Sequence, residues 1–146
     1  MSSSDVGQWL AECRASGDFS ALIEGVPYAR LIGIECEKRG DEVMFVLPPR
    51  ESNIGNPTLP ALHGGLIGGF IEHSAILHLL MFSETPRYPR VVDLSIDYLS
   101  AGHFRPTYAE CRILRLGRRV ANVAVEVWQT SRRQPIATGR AHLLLD

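Results

Sequence analysis

The segment of this 146-residue chain that could do chemistry is HGGLIGGFIEHSA, residues 63–75, which holds a single carboxylate within an apolar run. That carboxylate is Glu72. Burying a charged group is costly unless it is paired, so an acid in such a place is often a nucleophile or a general base. The alternative is a structural role, in which Glu72 reaches solvent or pairs with an arginine. Both interpretations follow from the sequence.

Two glycines, Gly64 and Gly65, open the same segment. If the segment is a helix, the N–H groups of its first turn have no partners inside the helix, and the helix dipole makes that end positive. Glycines at this place let a ligand oxygen approach the backbone, which suits an oxyanion hole. The alternative is a tight turn with close packing on a neighbouring element, which is also how we interpret Gly68 and Gly69.

The spacing of Gly65 and Glu72 makes a prediction about assembly. They are two helical turns apart, so they share one helix face but lie about 10 Å from each other along the axis. One acyl carbon cannot contact both residues of the same chain. If they cooperate, Gly65 comes from one subunit and Glu72 from another, with two helices side by side across a two-fold axis. The catalytic interpretation therefore predicts at least a dimer.

The elements around this segment predict an α+β fold. Helices are expected over residues 5–15, 19–24 and 64–82, and strands over residues 31–37, 42–47, 91–99, 108–116, 120–130 and 136–145. Residues 48–62 are rich in Pro, Asn and Gly and are expected to be loop. An antiparallel sheet laid over one long central helix satisfies this order with short connections.

The segment from residue 91 to residue 99 has the two-residue period of a strand with one covered face. Its apolar positions alternate with Asp and Ser. The apolar positions are Val92, Leu94, Ile96 and Tyr98.

Composition narrows the class of protein. The chain is 45% hydrophobic and carries 15 basic and 16 acidic residues, for a net charge of −1. We expect one domain over residues 1–146, with a short helical extension at about residues 1–25, and no nucleic-acid or membrane partner. The N-terminus does not have the pattern of a signal peptide, and residues 66–82 are interrupted by Gly, Glu and His. A cytoplasmic protein with a buried helix is the expectation.

Residues 53–65, NIGNPTLPALHGG, together with Glu72, resemble the hotdog-fold acyl-CoA thioesterases of the phenylacetate-pathway (PaaI-like) and 4-hydroxybenzoyl-CoA thioesterase group. The resemblance implies the hotdog fold, an antiparallel sheet wrapped around one long helix, from about residue 25 onward. It also implies that the Gly65 N–H binds the thioester carbonyl, while Glu72 of the opposite subunit is the nucleophile or the general base. Asn56, or its competitor Asn53, would position the acid or the water.

His63 is expected to fix the loop through hydrogen bonds of its ring. Many relatives have a Ser or Thr at the start of the strand after the helix, where this chain has Val91, and Ser95 is not expected to be placed to replace it. The loop before His63 is also longer than in the relatives, by residues 57–60.

The substrate interpretation adds further candidates. Arg118 and Arg119, in a predicted hairpin turn, are candidates for the phosphates of coenzyme A, although a solvated turn explains them equally well. An apolar pocket for the acyl group is predicted from several large side chains. These are Leu59, Leu62, Leu66, Phe70 and Tyr98.

The predicted activity is hydrolysis of an aryl- or fatty-acyl-CoA to the free acid and CoA, by a homodimer or homotetramer. No metal site is predicted, because His73 and His78 lack the spacing of two ligands on one helix face, and no cofactor beyond the CoA of the substrate. Two alternatives stay open. One is a hotdog acyl-CoA hydratase or dehydratase that uses His63 or His73 with Glu72. The other is a non-catalytic binder of acyl-CoA or aryl ligands.

Overall fold

The computed structural model describes residues 3–56, 58, 61–85 and 87–146. The helices are α1 (Ser3–Ser16), α2 (Phe19–Glu24), α3 (Pro27–Ile32) and α4 (Gly64–Phe82). The strands are β1 (Glu35–Arg39), β2 (Glu42–Leu47), β3 (Ile54–Asn56), β4 (Ala61–Leu62), β5 (Arg90–Tyr98), β6 (Thr107–Leu116), β7 (Val120–Trp128) and β8 (Ala137–Leu144).

A six-stranded sheet in the order β1-β2-β6-β7-β8-β5 forms the main layer, and its neighbouring strands are antiparallel. Helix α4 packs against β5, β6, β7 and β8. The contact is close because β8 has Gly139 beneath the helix, where a Cβ would lie 2.6 Å from Ile71 Cγ2. The predicted α+β hotdog arrangement is confirmed.

Helix α4 is buried on several sides, which explains why it is apolar around most of its circumference. Its buried residues are Leu66, Ile67, Gly68, Phe70, Ile71, Ser74, Ala75, Ile76, Leu77, Leu79 and Leu80. By length and composition alone α4 could cross a membrane, but 61% of its most apolar window is buried inside the protein. A core helix passes the same test, so the apolar sequence of α4 is weak support for a membrane span.

The C-terminal end of α4 is tied to α1 by an arginine. Arg14 Nε donates to the Leu80 carbonyl at 2.7 Å, and its Nη2 donates to the Thr85 carbonyl at 2.8 Å. Ser83 satisfies the Leu79 carbonyl through its backbone N–H and its hydroxyl. The guanidinium therefore supplies a donor and a positive charge at the negative end of the helix dipole.

Two expectations about residues 25–62 are corrected. The strand expected from residue 31 begins at Glu35, because Pro27–Ile32 forms helix α3. Pro27 stands in the first turn of α3, where a missing N–H costs nothing, and Gly33 ends the helix with φ +86°. The expected loop also contains a 3₁₀ turn at Glu51–Asn53 and the short pair β3–β4.

Strand β5 is an edge strand with a bulge. Val91 pairs with Leu143 and Asp93 pairs with His142, so Val92 is left out of the register and is 62% exposed. The expectation that Val92 shares the covered face was therefore wrong, because the bulge turns Val91 inward instead. On its other edge, β5 has no strand partner within the described part of the chain.

His78 on α4 predicts how stability depends on pH. Burial lowers the pKa of His78 from 6.5 to about 4, and its Nδ1 has no hydrogen-bond partner among the described residues. The unfolded chain thus binds a proton at His78 between about pH 6.5 and 4 that the folded chain does not bind. We expect this contribution to be complete above pH 6.5 and to be lost as the pH falls toward 4.

The measurement is the free energy of unfolding in urea at several pH values for the wild type and His78→Leu. The variant should lose stability less steeply between pH 6.5 and 4, because a leucine side chain takes up no proton. Equal slopes for the two proteins would show that His78 is not the group responsible.

Candidate functional site

The N-terminal half of α4 has one face that the rest of the chain leaves partly open. At 100° per residue, Gly65 and Glu72 fall within about 20° of each other. Gly65 is exposed and Glu72 is half-buried. We call this face, from Gly64 to Glu72, the glycine face, because glycines occupy positions 64, 65, 68 and 69 along it.

Tyr98 of β5 borders one side of the glycine face. Its hydroxyl donates to the Gly64 carbonyl at 2.8 Å, and the side chain remains 54% exposed. A Cβ at Gly68 would lie 3.2 Å from Ile96 Cδ1 and 3.4 Å from the Tyr98 hydroxyl. Gly68 therefore lets β5 approach the helix closely, as the packing interpretation expected.

Tyr28 of α3 borders the opposite side. Its ring lies so close to Gly69 that a Cβ there would be 2.7 Å from Tyr28 Cε1. The ring also packs on His73, with 4.4 Å between centroids. His73 Nδ1 lies 2.9 Å from the Gly69 carbonyl, which can only accept, so Nδ1 carries the hydrogen.

His63 is the N-cap of α4 and accepts hydrogen bonds from most of the backbone N–H groups of the first turn. Its Nδ1 accepts from the Gly65 N–H at 3.0 Å, and its carbonyl accepts from the N–H groups of Leu66 and Ile67. Because an acceptor Nδ1 has no hydrogen, the ring is held as the neutral Nε2–H form. The hydrogen bond expected of the His63 ring is thus made with the backbone of α4.

The N–H that remains available is that of Gly64. No acceptor among the described residues bonds to it. The prediction gave the carbonyl-binding role to Gly65, but the Gly65 N–H is occupied by His63. In this structure the free donor at the positive end of α4 is therefore one residue earlier than predicted.

Glu72 has no ion pair among the described residues, so the arginine partner of the structural interpretation is not found within the chain. Its charge acts on Tyr88, just before β5. Burial raises the pKa of Tyr88, and the negative charge of Glu72 raises it further. Sequence reasoning missed Tyr88, because residues 83–89 show no periodicity that would bring them to α4.

The two candidate asparagines, Asn53 and Asn56, differ in what the structure shows of them. Asn53 is buried, and its Nδ2 donates to the Ile32 carbonyl at 3.2 Å, so it holds the end of α3. Its own carbonyl accepts from the His63 N–H. Asn53 is thus a structural support of the N-cap loop. The backbone of Asn56 ends β3, but its side chain lies outside the described part of the protein, so its predicted role stays a prediction.

The hydroxyl candidate after the helix is not near α4. Leu94 and Ile96 are half-buried and pack on the core, and Ser95 alternates with them. Ser95 lines the outer face of the sheet together with Asp93 and Asp97. It therefore cannot replace the hydroxyl that relatives carry beside the acid.

The residues predicted to form the acyl pocket lie in different parts of the structure. Leu62, Leu66 and Phe70 are buried in the core, and Leu59 lies outside the described residues. Of this set, Tyr98 borders the glycine face.

Arg118 and Arg119 lie in the turn between β6 and β7. Arg119 Nε is 3.6 Å from Asp146 Oδ2, with both side chains exposed, and Arg118 lies beside Ser83 and Thr85 at the C-terminal end of α4. Within one chain they are thus at the opposite end of α4 from Gly64. Across the described residues, no group of three or more His, Cys, Asp or Glu side chains could hold a metal ion.

Comparison with known proteins identifies the family. The family model of the thioesterase superfamily matches residues 59–136. A crystal structure of a protein from Chromobacterium violaceum is 39% identical, with a TM-score of 0.76 over 95% of this chain and 97% of that one. The chain belongs to the thioesterase superfamily.

More distant proteins share the fold. A phenylacetic acid degradation-related protein from Ralstonia eutropha is 19% identical, with a TM-score of 0.73 over 86% of this chain and 98% of that one. A Bacillus halodurans protein solved with CoA is 21% identical, with a TM-score of 0.72 over 81% and 77%. A search of curated proteins gave no match.

The His63 cap makes a prediction about stability. His63→Ala removes the acceptor for the Gly65 N–H and should lower the free energy of unfolding by about 1 kcal/mol. His63→Asp should retain most of it, because Asp is a preferred N-cap and its charge suits the positive end of α4. Urea denaturation measures both. If His63→Ala were as stable as the wild type, the ring bond would not be what stabilises this helix end.

Proposed function

We infer that this protein hydrolyses acyl-CoA thioesters at a site built from two copies of the chain. The observation that carries the inference is the Gly64 N–H at the positive end of α4, which has no acceptor among the described residues. The open face of the same helix also carries Glu72, which has no ion pair among them. A donor for a developing oxyanion and a carboxylate are the groups that thioester hydrolysis needs. Membership of the thioesterase superfamily supports this reaction, and the Bacillus halodurans protein with CoA supports the substrate class.

Two copies are required for a geometric reason. Gly64 and Glu72 lie about 12 Å apart along their own helix, which is too far for one carbonyl group. Two α4 helices packed side by side and antiparallel would bring Gly64 of one chain to Glu72 of the other. The absence of side chains at the two exposed glycines, Gly64 and Gly65, lets a second helix approach closely at the N-terminal end of α4.

Strand β5 supports the same assembly. Its outer edge has no strand partner in the described part of the chain, and the exposed apolar residues Val92, Tyr98 and Leu99 lie on β5 or directly after it. An exposed edge strand with apolar side chains is a surface on which another strand pairs. Pairing of β5 with β5 of a second copy would extend the sheet across a homodimer. A homotetramer would need a further interface.

In the proposed reaction the thioester oxygen accepts the Gly64 N–H, and negative charge that develops on it is stabilised by the helix end. Glu72 of the partner subunit then acts in one of two ways. As a nucleophile it forms an anhydride with the acyl carbon, expels the CoA thiolate, and is released by water. As a general base it takes a proton from a water molecule that attacks the same carbon. Either route consumes one water and gives the acid and CoA.

Arg118 and Arg119 fit this assembly as phosphate ligands. In an antiparallel pair, the C-terminal end of the partner's α4 lies beyond the Gly64 end of the first, on the side where CoA would leave the site. The turn that carries both arginines is at that end. Guanidinium groups bind phosphate well, so we assign CoA binding to this turn of the partner subunit.

The role of Glu72 is tested by release of free thiol from a panel of aryl- and fatty-acyl-CoAs. Glu72→Gln keeps the shape of the side chain and removes its charge, so kcat should fall by about 10²–10⁴-fold. Glu24→Gln is the matched control, since Glu24 is exposed at the end of α2. Sedimentation should show the same oligomer for both variants. Undiminished release by Glu72→Gln would make Glu72 a structural residue.

The role of Gly64 is tested by removing its N–H alone. Gly64 is the first residue of α4, where proline is well tolerated, and His63 has φ −66° and ψ 133°, which suit a residue before proline. Gly64→Pro should therefore fold but lose about 10²–10³-fold in kcat. Gly64→Ala keeps the N–H, and its Cβ would meet Tyr98 at 3.8 Å, an ordinary contact. It should remain active. Equal activity of the two variants would mean that the carbonyl binds elsewhere.

A further inference from the structure

We propose that Tyr28 of α3 is the residue that limits the size of the acyl group, an assignment that rests on the proposed thioesterase function. Tyr28 comes from the short helix that sequence analysis did not predict. It is half-buried, and no described residue makes a hydrogen bond to its hydroxyl. The assignment rests on the packing around the Tyr28 ring, on its position beside α4, and on the direction in which the acyl group would extend from the CoA end of the site.

The Tyr28 ring is held rigidly against α4. Its hydroxyl occupies the space in which any Cβ at Gly69 would lie, with Tyr28 Cε1 2.7 Å from that position. The His73 ring packs on the Tyr28 ring at 4.4 Å and 33°, and a bond from His73 to the Gly69 carbonyl fixes the imidazole. A ring that fills the space beside a glycine and packs against a second fixed ring costs much free energy for a ligand to displace. We call the Tyr28 ring in this position the wall.

The position of this wall is where an acyl group would end. Gly69 is about 7.5 Å from Gly64 along α4. CoA is too large to enter between two packed helices, so it must stay at the outer, Gly64 end of the site. The acyl group then extends along the glycine face toward Gly69 and Tyr28. Leu31, one turn further along α3, is an apolar residue that is 71% exposed.

The competing explanation is that Tyr28 only anchors α3 on α4. An anchor and a wall are distinguished by what changes when the ring is removed. Loss of an anchor lowers stability and lowers turnover of every substrate by a similar factor. Loss of a wall changes the ratio of kcat/KM between long and short acyl groups, because added methylenes gain contacts only where there is room for them.

The experiment measures kcat/KM for straight-chain acyl-CoAs of increasing length, together with benzoyl- and phenylacetyl-CoA. For Tyr28→Ala, the ratio of the longer chains to the best wild-type substrate should rise about tenfold or more. Tyr28→Phe keeps the ring and should keep the wild-type profile. Tyr108→Ala is the matched control, since Tyr108 stacks on Trp128 and alternates with the buried Thr107 and Ala109 of β6. Its profile should stay that of the wild type.

Gly69→Ala tests the same assignment by displacing the Tyr28 ring instead of removing it. The new methyl group must displace the Tyr28 ring, so the profile should change, whereas adding Gly69→Ala to Tyr28→Ala should change it no further. A uniform loss of activity across the series in Tyr28→Ala would overturn the assignment and make Tyr28 an anchor.

The outcome is separable from that of the proposed function. If the wild type releases no thiol from any substrate, hydrolysis is wrong, and the same series is then titrated calorimetrically for binding. A length preference in Kd that Tyr28→Ala moves toward longer chains would support the wall without hydrolysis. A preference unchanged by Tyr28→Ala, or no binding, would overturn it.

Discussion

The first turn of α4 has four backbone N–H groups that the helix itself cannot satisfy, and the protein satisfies three of them with one residue. The His63 carbonyl accepts from Leu66 and Ile67, and the His63 ring accepts from Gly65. The fourth donor, on Gly64, has no acceptor among the described residues and lies at the positive end of the helix. The loop that presents His63 is held in turn by Asn53, whose carbonyl accepts the His63 N–H and whose amide group bonds to α3. Gly64 therefore supplies the donor that stays available, because His63 accepts from the other three.

The glycine face is the second constraint, and it has a cost. A glycine inside a helix is less favourable than alanine by about 1 kcal/mol, and α4 has Gly68 and Gly69 in its interior. The cost is offset by burial of α4 within the sheet and by contacts that only glycine allows. Gly68 admits Ile96 and Tyr98 of β5, and Gly69 admits Tyr28 of α3. Gly64 and Gly65, which stay exposed, are the positions at which a second α4 could approach closely.

Much of the fold could be predicted from the sequence because its strongest signals are local. The bounds of α4 and β2 coincide with the predicted ranges, since a long apolar run after His-Gly-Gly and a compact apolar strand after a glycine turn have few other interpretations. Helix α3 escapes prediction because Pro27 is also a plausible stop for the preceding helix, although proline starts helices as well. The inward turn of Val91 depends on a bulge that only the pairing of β5 with β8 defines.

The residue types of the sequence propose the candidate site, and the structure adds atomic detail that they do not determine. The segment that carries it is evident from residue types, but which N–H is free depends on where the His63 ring points, and spacing does not determine that. Tyr28 and Tyr88 come from segments distant in sequence from Glu72, so only the packed structure brings them to α4. The proposal of a site divided between two chains rests on helix geometry, since about 12 Å separates Gly64 and Glu72 in one chain.

The central claim, a site shared by two subunits, is tested most directly by mixing two inactive variants. Gly64→Pro and Glu72→Gln chains, differently tagged, are refolded together, and hybrid dimers are verified by capture on both tags. In each hybrid, one site combines an intact Gly64 with an intact Glu72 of the partner subunit. Thiol release should then recover to about a quarter of the wild-type rate, because about half of the dimers are hybrids and one of their two sites is complete. Hybrid dimers that stay as inactive as either parent would contradict a shared site.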